Sequence, residues 1–378
     1  MKHTNMKLCV FSNDPIKAYF DKGEIKTRYY NPWNFFDEIH LISFVDEDIE
    51  EFKVQILAGN AKLKIHCVGK INLKNRSKYV KSVLELVRTI NPDVIRAYNP
   101  LLEGWFAAKC SSELRIPLFL SLHTQYDHNR ELMKKSNLKK YLALKYTEKF
   151  IEPFALKTAQ KITMVYRIIE PYVIKHGGKN PELLYNRINC EQFTNAVPIN
   201  SLKTPLIISV GSLIEAKNHQ CIIKAMKGID AHCLIIGNGN LYDKLMSLIE
   251  KENLTSKITI KRSVPNNEIQ NYYKSAKVFA LAYDTELEGL PMPVIEAMAT
   301  GLPVVIPFPK KEYSDGLEGI ALFSEREPSS FAENINRVLH NPGLQKELSL
   351  KSLKKSKDFD NSIIEKREAE IYSQLVRK

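Results

Sequence analysis

The sequence predicts an α/β protein built from two doubly wound parallel-sheet halves. Three observations carry this. Short apolar runs alternate with amphipathic helical patterns, the pattern restarts after residue 200, and the 378 residues exceed what one ordinary core accommodates.

The first half opens on the strand-like run Lys7–Phe11. Further runs follow at Ile39–Phe44, Ile65–Val68, Val94–Ala97 and Leu118–Leu122. Between two of them, Val80, Val83, Leu84 and Val87 recur at i, i+3, i+4 and i+7, and Asn91-Pro92 stops that helix. Buried strands alternating with helices imply parallel layers.

In the second half, Leu206–Val210 reads as a strand and Gly211 starts the turn after it. A helix near 220–227 is expected to end at Gly228 as a C′ glycine. Strand Cys233–Ile236 runs into the tight turn Gly237-Asn238-Gly239. A helix carries Ile269, Tyr272, Tyr273 and Ala276, and strands follow at Val278–Leu281 and Val304–Ile306. Pro198, Asn200, Ser201 and Pro205 mark a polar link at Val197–Pro205. The expected division is therefore 1–198, 199–358 and a terminal helical segment 359–378. Ligands of such sheets sit beyond the carboxyl ends of the strands, and two facing halves would offer a cleft.

Hydrophobic content of 44% and charged content of 26% exclude wholesale disorder. No apolar run approaches a bilayer span, and residues 1–5 lead into the first strand without a secretory pattern. Six scattered cysteines form neither a C-x-x-C pair nor a zinc spacing, which points to reduced thiols in a cytoplasmic protein. The net charge of +12 favours acidic partners. Without an RNA-recognition, zinc-finger or basic-zipper signature, nucleic acid is disfavoured among them.

The segment Glu288–Pro303 carries the chemistry. Gly289 permits close backbone approach, and Pro291 and Pro293 suit a first helical turn. Ile295, Met298 and Ala299 form a buried stripe, and Gly301 ends the helix. Its N-terminus attracts anions, so a diphosphate fits there, while Glu288 and Glu296 can accept hydrogen bonds from sugar hydroxyls. Dipole partners or solvated charges are the plain alternative. In Val210–Asn218, a strand and glycine turn bring Lys217 six residues after Gly211, suited to a phosphate but without a Walker ending. A surface lysine is the alternative. His123 closes the run Leu118–Leu122, placed to bond a sugar or a nearby backbone group.

Together these segments resemble the family 4 retaining glycosyltransferases, which have the GT-B fold of two Rossmann-like domains. The likeness covers most of the chain and is strongest from Leu206 to Pro303. Glu288 and Glu296 match that family's glutamate pair, with the tail Glu296–Pro303. The resemblance implies that Glu288 meets donor-sugar hydroxyls and Glu296 the nucleotide ribose. It implies that Lys217 and Gly211 meet the diphosphate, that Gly289 and Leu290 close on the donor, and that His123 lies near the reacting sugar. Asn186 aligns with an asparagine before the interdomain link, and the last helix is expected to return to the first domain. Three departures stand out. Ser212 replaces a diphosphate-binding arginine, for which Arg262 or Lys261 would compensate; Arg187 replaces a glycine; and the acceptor-side glycine-rich loop is reduced to Gly23.

The implied activity is transfer of a hexose-type sugar from a nucleotide-diphosphate sugar to a glycan, lipid-linked or small-molecule acceptor. It implies retention of configuration, and neither a cofactor nor a metal. A sugar-nucleotide epimerase or hydrolase, or a non-catalytic nucleotide-sugar-binding protein, are the alternatives. Finally, Arg130, Lys134, Lys135, Lys139, Lys140, Lys145 and Lys149 interleave with Leu132, Leu138, Tyr141, Leu142 and Leu144. That basic amphipathic segment, 130–149, suits an anionic membrane at its inner face, an acidic acceptor, or water alone.

Overall fold

The computed structural model describes residues 5–201 and 205–376. The chain forms two compact units: residues 1–185 with 365–378, and residues 186–364.

The first unit contains a seven-stranded sheet: β1 (Lys7–Phe11), β2 (Glu38–Ser43), β3 (Lys62–Cys67), β4 (Val94–Ala97), β5 (Leu118–Leu122), β6 (Lys161–Met164) and β7 (Glu182–Leu183). Its order is β3-β2-β1-β4-β5-β6-β7, with every pair parallel. The second unit has β8 (Leu206–Val210), β9 (His232–Ile236), β10 (Ile258–Lys261), β11 (Val278–Ala280), β12 (Val304–Pro307) and β13 (Leu322–Ser324), ordered β10-β9-β8-β11-β12-β13 and again all parallel. Strands β1, β4, β5, β8, β11 and β12 are apolar almost throughout because helices cover both faces of a parallel sheet.

In each sheet the strand order reverses once, between β1 and β4 and between β8 and β11. Loops leaving the carboxyl ends of those two strands diverge to opposite faces and leave a crevice between them. In the second unit the residues after β8 and β11 border that crevice.

Three expectations are corrected. The units divide between Tyr185 and Asn186, upstream of the proline-marked stretch near 197–205. That stretch belongs to the second unit because Val197 N–H donates to Asn271 Oδ1 (3.0 Å) and Ile199 N–H to Ser275 Oγ (2.7 Å); residues 202–204 of it lie outside the described residues. Gly228 is not a left-handed cap. The helix His219–Ala225 tightens into a 3₁₀ turn, Met226–Gly228, which satisfies its last carbonyls without positive φ. Arg130 is not a surface cation; it is 2% exposed, for reasons given below.

The last helix, Asn361–Val376, is divided between the units at Ile364/Glu365. Within the second unit, Ile188 N–H donates to the Phe359 carbonyl (2.9 Å) and Asn361 N–H to the Ile188 carbonyl (2.8 Å). Within the first, Glu365 pairs with Arg28 and Glu368 with the buried Arg96, each at 3.0 Å. The Arg96 guanidinium lies 3.5 Å from the Phe119 ring centroid. Among the described residues, no helix is long and apolar enough to cross a membrane.

Candidate active site

The sequence-derived residues of the second unit meet where the strand order reverses. Beyond β8 the chain turns at Gly211, and the 3₁₀ turn Glu215–Lys217 delivers Lys217. Beyond β11 the segment 281–291 delivers Glu288. The two loops are tied by the Asp284 N–H donating to the Ala216 carbonyl at 2.8 Å. Lys217 Nζ then reaches Glu288 Oε2 at 2.5 Å. The side chains are only 10% and 21% exposed. Neither has another polar side-chain partner among the described residues. A lysine so enclosed requires a counter-charge, and Glu288 supplies it.

The backbone around this pair is fixed by glycines that the sequence marked only as a turn. A Cβ at Gly237 would lie 1.9 Å from the Gly211 carbonyl oxygen, and one at Gly239 would lie 2.4 Å from that of Leu213. Gly211 N–H donates to the Ile236 carbonyl and Leu213 N–H to the Asn238 carbonyl. The loop after β8 is thus seated on the loop after β9, with Ser212 exposed between the two anchored residues.

Several supporting residues had no sequence signal beyond apolar periodicity or none at all. His219 hydrogen-bonds Ser209 Oγ through Nδ1 and the Gly211 carbonyl through Nε2, each at 3.2 Å. Burial, with the Lys217 charge acting in the same sense, lowers its pKa to about 4, so it is neutral at physiological pH. The buried Tyr283 donates to the Gly289 carbonyl at 2.8 Å, holding the turn that follows Glu288. Leu290 is buried and anchors that turn. The helix Met292–Ala299 starts after Pro291, which takes the N-cap position with Pro293 in the first turn. It ends at Gly301, whose φ of +81° lets the Leu302 N–H reach back to the Ala297 carbonyl. Glu296, on this helix, accepts from the Tyr273 hydroxyl at 2.8 Å.

Other sequence candidates sit apart. Arg262 follows β10, two strands from β8 and so about 10 Å away at ordinary strand spacing. Its guanidinium donates to Asn238 Oδ1 (3.2 Å) and lies over the Tyr242 ring. Lys261 donates to the Tyr272 hydroxyl at 2.8 Å. Each candidate substitute for the missing arginine is thereby engaged by a neighbour of its own. Gly23 is not part of a loop after β1. It caps the short helix Ile16–Asp21 with φ +69°, and Glu24 N–H closes the motif onto the Tyr19 carbonyl.

His123 belongs to the first unit, at the end of β5. Its ring centroid lies 5.7 Å from that of Tyr98. Burial first, and then the Arg96 charge, lower its pKa to about 4, and Nε2 has no hydrogen-bond partner. It is a neutral imidazole with an unused polar atom. After β4, Asn99 hydrogen-bonds Asn13 and Glu103, and burial raises the Glu103 carboxyl to about 7. Sequence reading missed Glu103, since an acid in a first helical turn looks like a dipole partner.

Among the described residues, the cluster that approaches metal-ligand geometry is Asp127, Glu148 and His176. Arg130 and Lys175 already neutralise its carboxylates. Burial pushes Asp127 up, but hydrogen bonds from His176, Lys175 and Arg130 outweigh it and hold the carboxyl below its usual range. Such a set is an ion-pair network and a poor cation site. All six cysteines are unpaired.

Residues 192–355 match the family model described as Glycosyl transferases group 1. An uncharacterized glycosyltransferase of Methanocaldococcus jannaschii is 26% identical over 325 residues, 85% of this chain and 86% of the relative. The N-acetylgalactosamine-N,N'-diacetylbacillosaminyl-diphospho-undecaprenol 4-alpha-N-acetylgalactosaminyltransferase of Campylobacter jejuni is 31% identical over 189 residues, 48% of this chain and half of that enzyme. The crystal structure of Anabaena HepE in complex with UDP aligns with a TM-score of 0.75 at 15% identity, covering 98% of this chain and 100% of that one. The shared architecture is the GT-B fold.

Proposed function

We propose that this chain, whose residues 192–355 match the Glycosyl transferases group 1 model, is a glycosyltransferase that moves a hexose-type sugar from a nucleotide-diphosphate sugar to an acceptor hydroxyl with retention of configuration. The observation that carries the donor site is the enclosed Lys217–Glu288 pair at the strand-order reversal of the second sheet. On this reading the donor diphosphate and its sugar bind beside the pair. Lys217 exchanges Glu288 for the diphosphate, and Glu288 turns to the sugar hydroxyls. Glu296 accepts from the ribose beside its Tyr273 contact. Gly211, Ser212, Gly289 and Leu290 line the donor, and Arg262 takes part only if it leaves Asn238.

In the chemical step the bond between the anomeric carbon and the diphosphate oxygen breaks, and the acceptor oxygen bonds the same face of that carbon. The acceptor proton passes to the departing phosphate. Negative charge grows on the leaving group, where Lys217 and the start of the helix at Met292 stabilise it. His123 is a neutral hydrogen-bonding group suited to a sugar hydroxyl. The charge stabilisation is assigned to protein groups, so activity is expected to survive chelation of divalent metal. The unpaired cysteines support a reducing, cytoplasmic setting. The Campylobacter relative, whose name places its sugar on a diphospho-undecaprenol, supports a lipid-linked acceptor over a free small molecule.

A thermal-shift screen against UDP-, GDP- and ADP-sugars identifies the donor, because a bound ligand raises the melting temperature by linkage. Ordinary turnover by a well-folded Glu288→Ala variant would sink the assignment. Ser212, standing where the family resemblance calls for an arginine, favours one second reading: a protein that binds the donor without transferring the sugar. Donor stabilisation with no product, whatever acceptor is supplied, would establish that reading.

A further inference from the structure

The helix Leu138–Phe150 packs one side against its unit and leaves an apolar row on the other. Its inner side turns Leu144, the buried Thr147 and Glu148 toward the first unit. On its outer side Leu138, Leu142, Tyr146 and Phe150 recur every four residues, which lines them up along the axis. They are 63%, 60%, 38% and 53% exposed. A single exposed leucine needs no explanation, but a row of four large apolar side chains does.

The charge around the row has one sign. Lys139, Lys140 and Lys149 are exposed, and no ion pair engages them among the described residues. Lys149 Nζ lies 5.2 Å from the Phe150 ring centroid. The helix contains one acid, Glu148, and it turns inward toward Arg130 and Lys175 while also accepting from Lys145. At one edge Arg76 donates to the Tyr146 hydroxyl at 2.6 Å and lies over both the Tyr146 and Trp105 rings. Lys109 lies between Trp105 and Phe154. The side chain of Lys135 lies outside the described residues.

The base beneath this face is rigid. Buried Arg130, on the preceding helix Tyr126–Ser136, pairs with Glu152 of the following helix and bonds the Leu144 carbonyl of this one. The apolar row therefore cannot turn inward without dismantling that network.

We propose that this outer face docks on the surface of an anionic lipid bilayer. Leu138, Leu142 and Phe150 enter the acyl boundary, Tyr146 and Trp105 lie at headgroup depth, and the lysines meet anionic headgroups. Charge complementarity commits the face to this occupant, since four of its apolar groups are bordered by cations and by no outward-facing acid of the same helix.

The test is co-sedimentation of the full chain, at low ionic strength, with vesicles of mixed phosphatidylglycerol and phosphatidylcholine and with vesicles of phosphatidylcholine alone. Binding is expected to the anionic vesicles only and to fall as salt is added. A Leu142→Ser/Phe150→Ser variant and a Lys139→Glu/Lys149→Glu variant should each lose at least about tenfold in partitioning, by loss of apolar insertion and of headgroup attraction respectively. All substituted positions are exposed, so melting temperature and donor-induced thermal shift should stay as in the parent. No binding to either vesicle, equal binding to both, or unchanged binding of the two variants would overturn the proposal. So would a self-association, seen by light scattering without vesicle binding, that the Leu142→Ser/Phe150→Ser variant abolishes. Donor binding is read separately, so a failure here leaves the transferase reading standing.

Discussion

Two enclosed ion pairs in this chain invite comparison, one in each unit. Arg130 and Glu152, at 2% and 0% exposure, are saturated. The carboxylate receives both guanidinium nitrogens, the Thr147 hydroxyl at 2.7 Å and the Tyr172 hydroxyl at 2.6 Å, while the guanidinium also meets Asp127, Glu148 and the Leu144 carbonyl. Lys217 and Glu288 have each other and little else. A saturated pair has no valence left for a ligand, and its value is to fasten helices together. An unsaturated pair at a strand-order reversal keeps hydrogen-bond positions open, as the proposed donor site requires. Enclosure is common to both pairs; what differs is the number of hydrogen-bond positions left open and the place of the pair in its sheet.

Breaking each pair should expose the difference. Arg130→Met leaves Glu152 buried without its cation and is expected to cost about 3–5 kcal/mol of stability in a denaturant titration. Adding Glu152→Gln should recover part of that loss. Lys217→Ala should instead lower the transfer rate by about 10²–10³-fold, on the order of 3–4 kcal/mol of barrier. The partly solvated Glu288 left behind should leave the melting temperature nearly unchanged. If Lys217→Ala melts as early as Arg130→Met, the second pair is structural too.

A neutral group sharpens the contrast further. His123 resists protonation until about pH 4 in the fold, whereas an unfolded histidine takes its proton near pH 6.5. The unfolded chain therefore binds more protons between those values, and stability falls as pH drops through that window. A His123→Gln variant should lose about 1–3 kcal/mol less than the parent between pH 7 and pH 4. The smallest effect is expected at Tyr273→Phe. It removes one hydrogen bond to Glu296, about 1 kcal/mol, and should raise the donor KM a few-fold with kcat little changed.

The fold was legible because it rests on periodicity. The apolar runs at Lys7–Phe11, Val94–Ala97, Leu118–Leu122 and Leu206–Val210 are strands at the same bounds, and the stripe Val80–Val87 lies within the helix Arg76–Ile90. The meeting of Lys217 and Glu288 was legible only as spacing around two strand ends, since nothing local in either segment specifies the other. Illegible were features that depend on distant partners. Arg130 reads as one more cation in a basic run until Glu152 and Tyr172 close over it. Tyr146 and Phe150 read as ordinary helix residues until the other face of that helix is packed. Gly23 reads as a loop glycine because its cap role depends on where the short helix ends.

Position 212 is held in an unusual way. The residues on either side of it are bolted to the neighbouring strand end through Gly211 N–H and Leu213 N–H, and Gly237 and Gly239 leave no room for that backbone to shift. The side chain itself projects into solvent. Such a position is mechanically decoupled from the fold, because its side chain makes none of the contacts that set the loop's course. Substitution at 212 is therefore expected to change the charge beside this strand end while the loop keeps its course, so a Ser212→Arg variant should melt as the parent does.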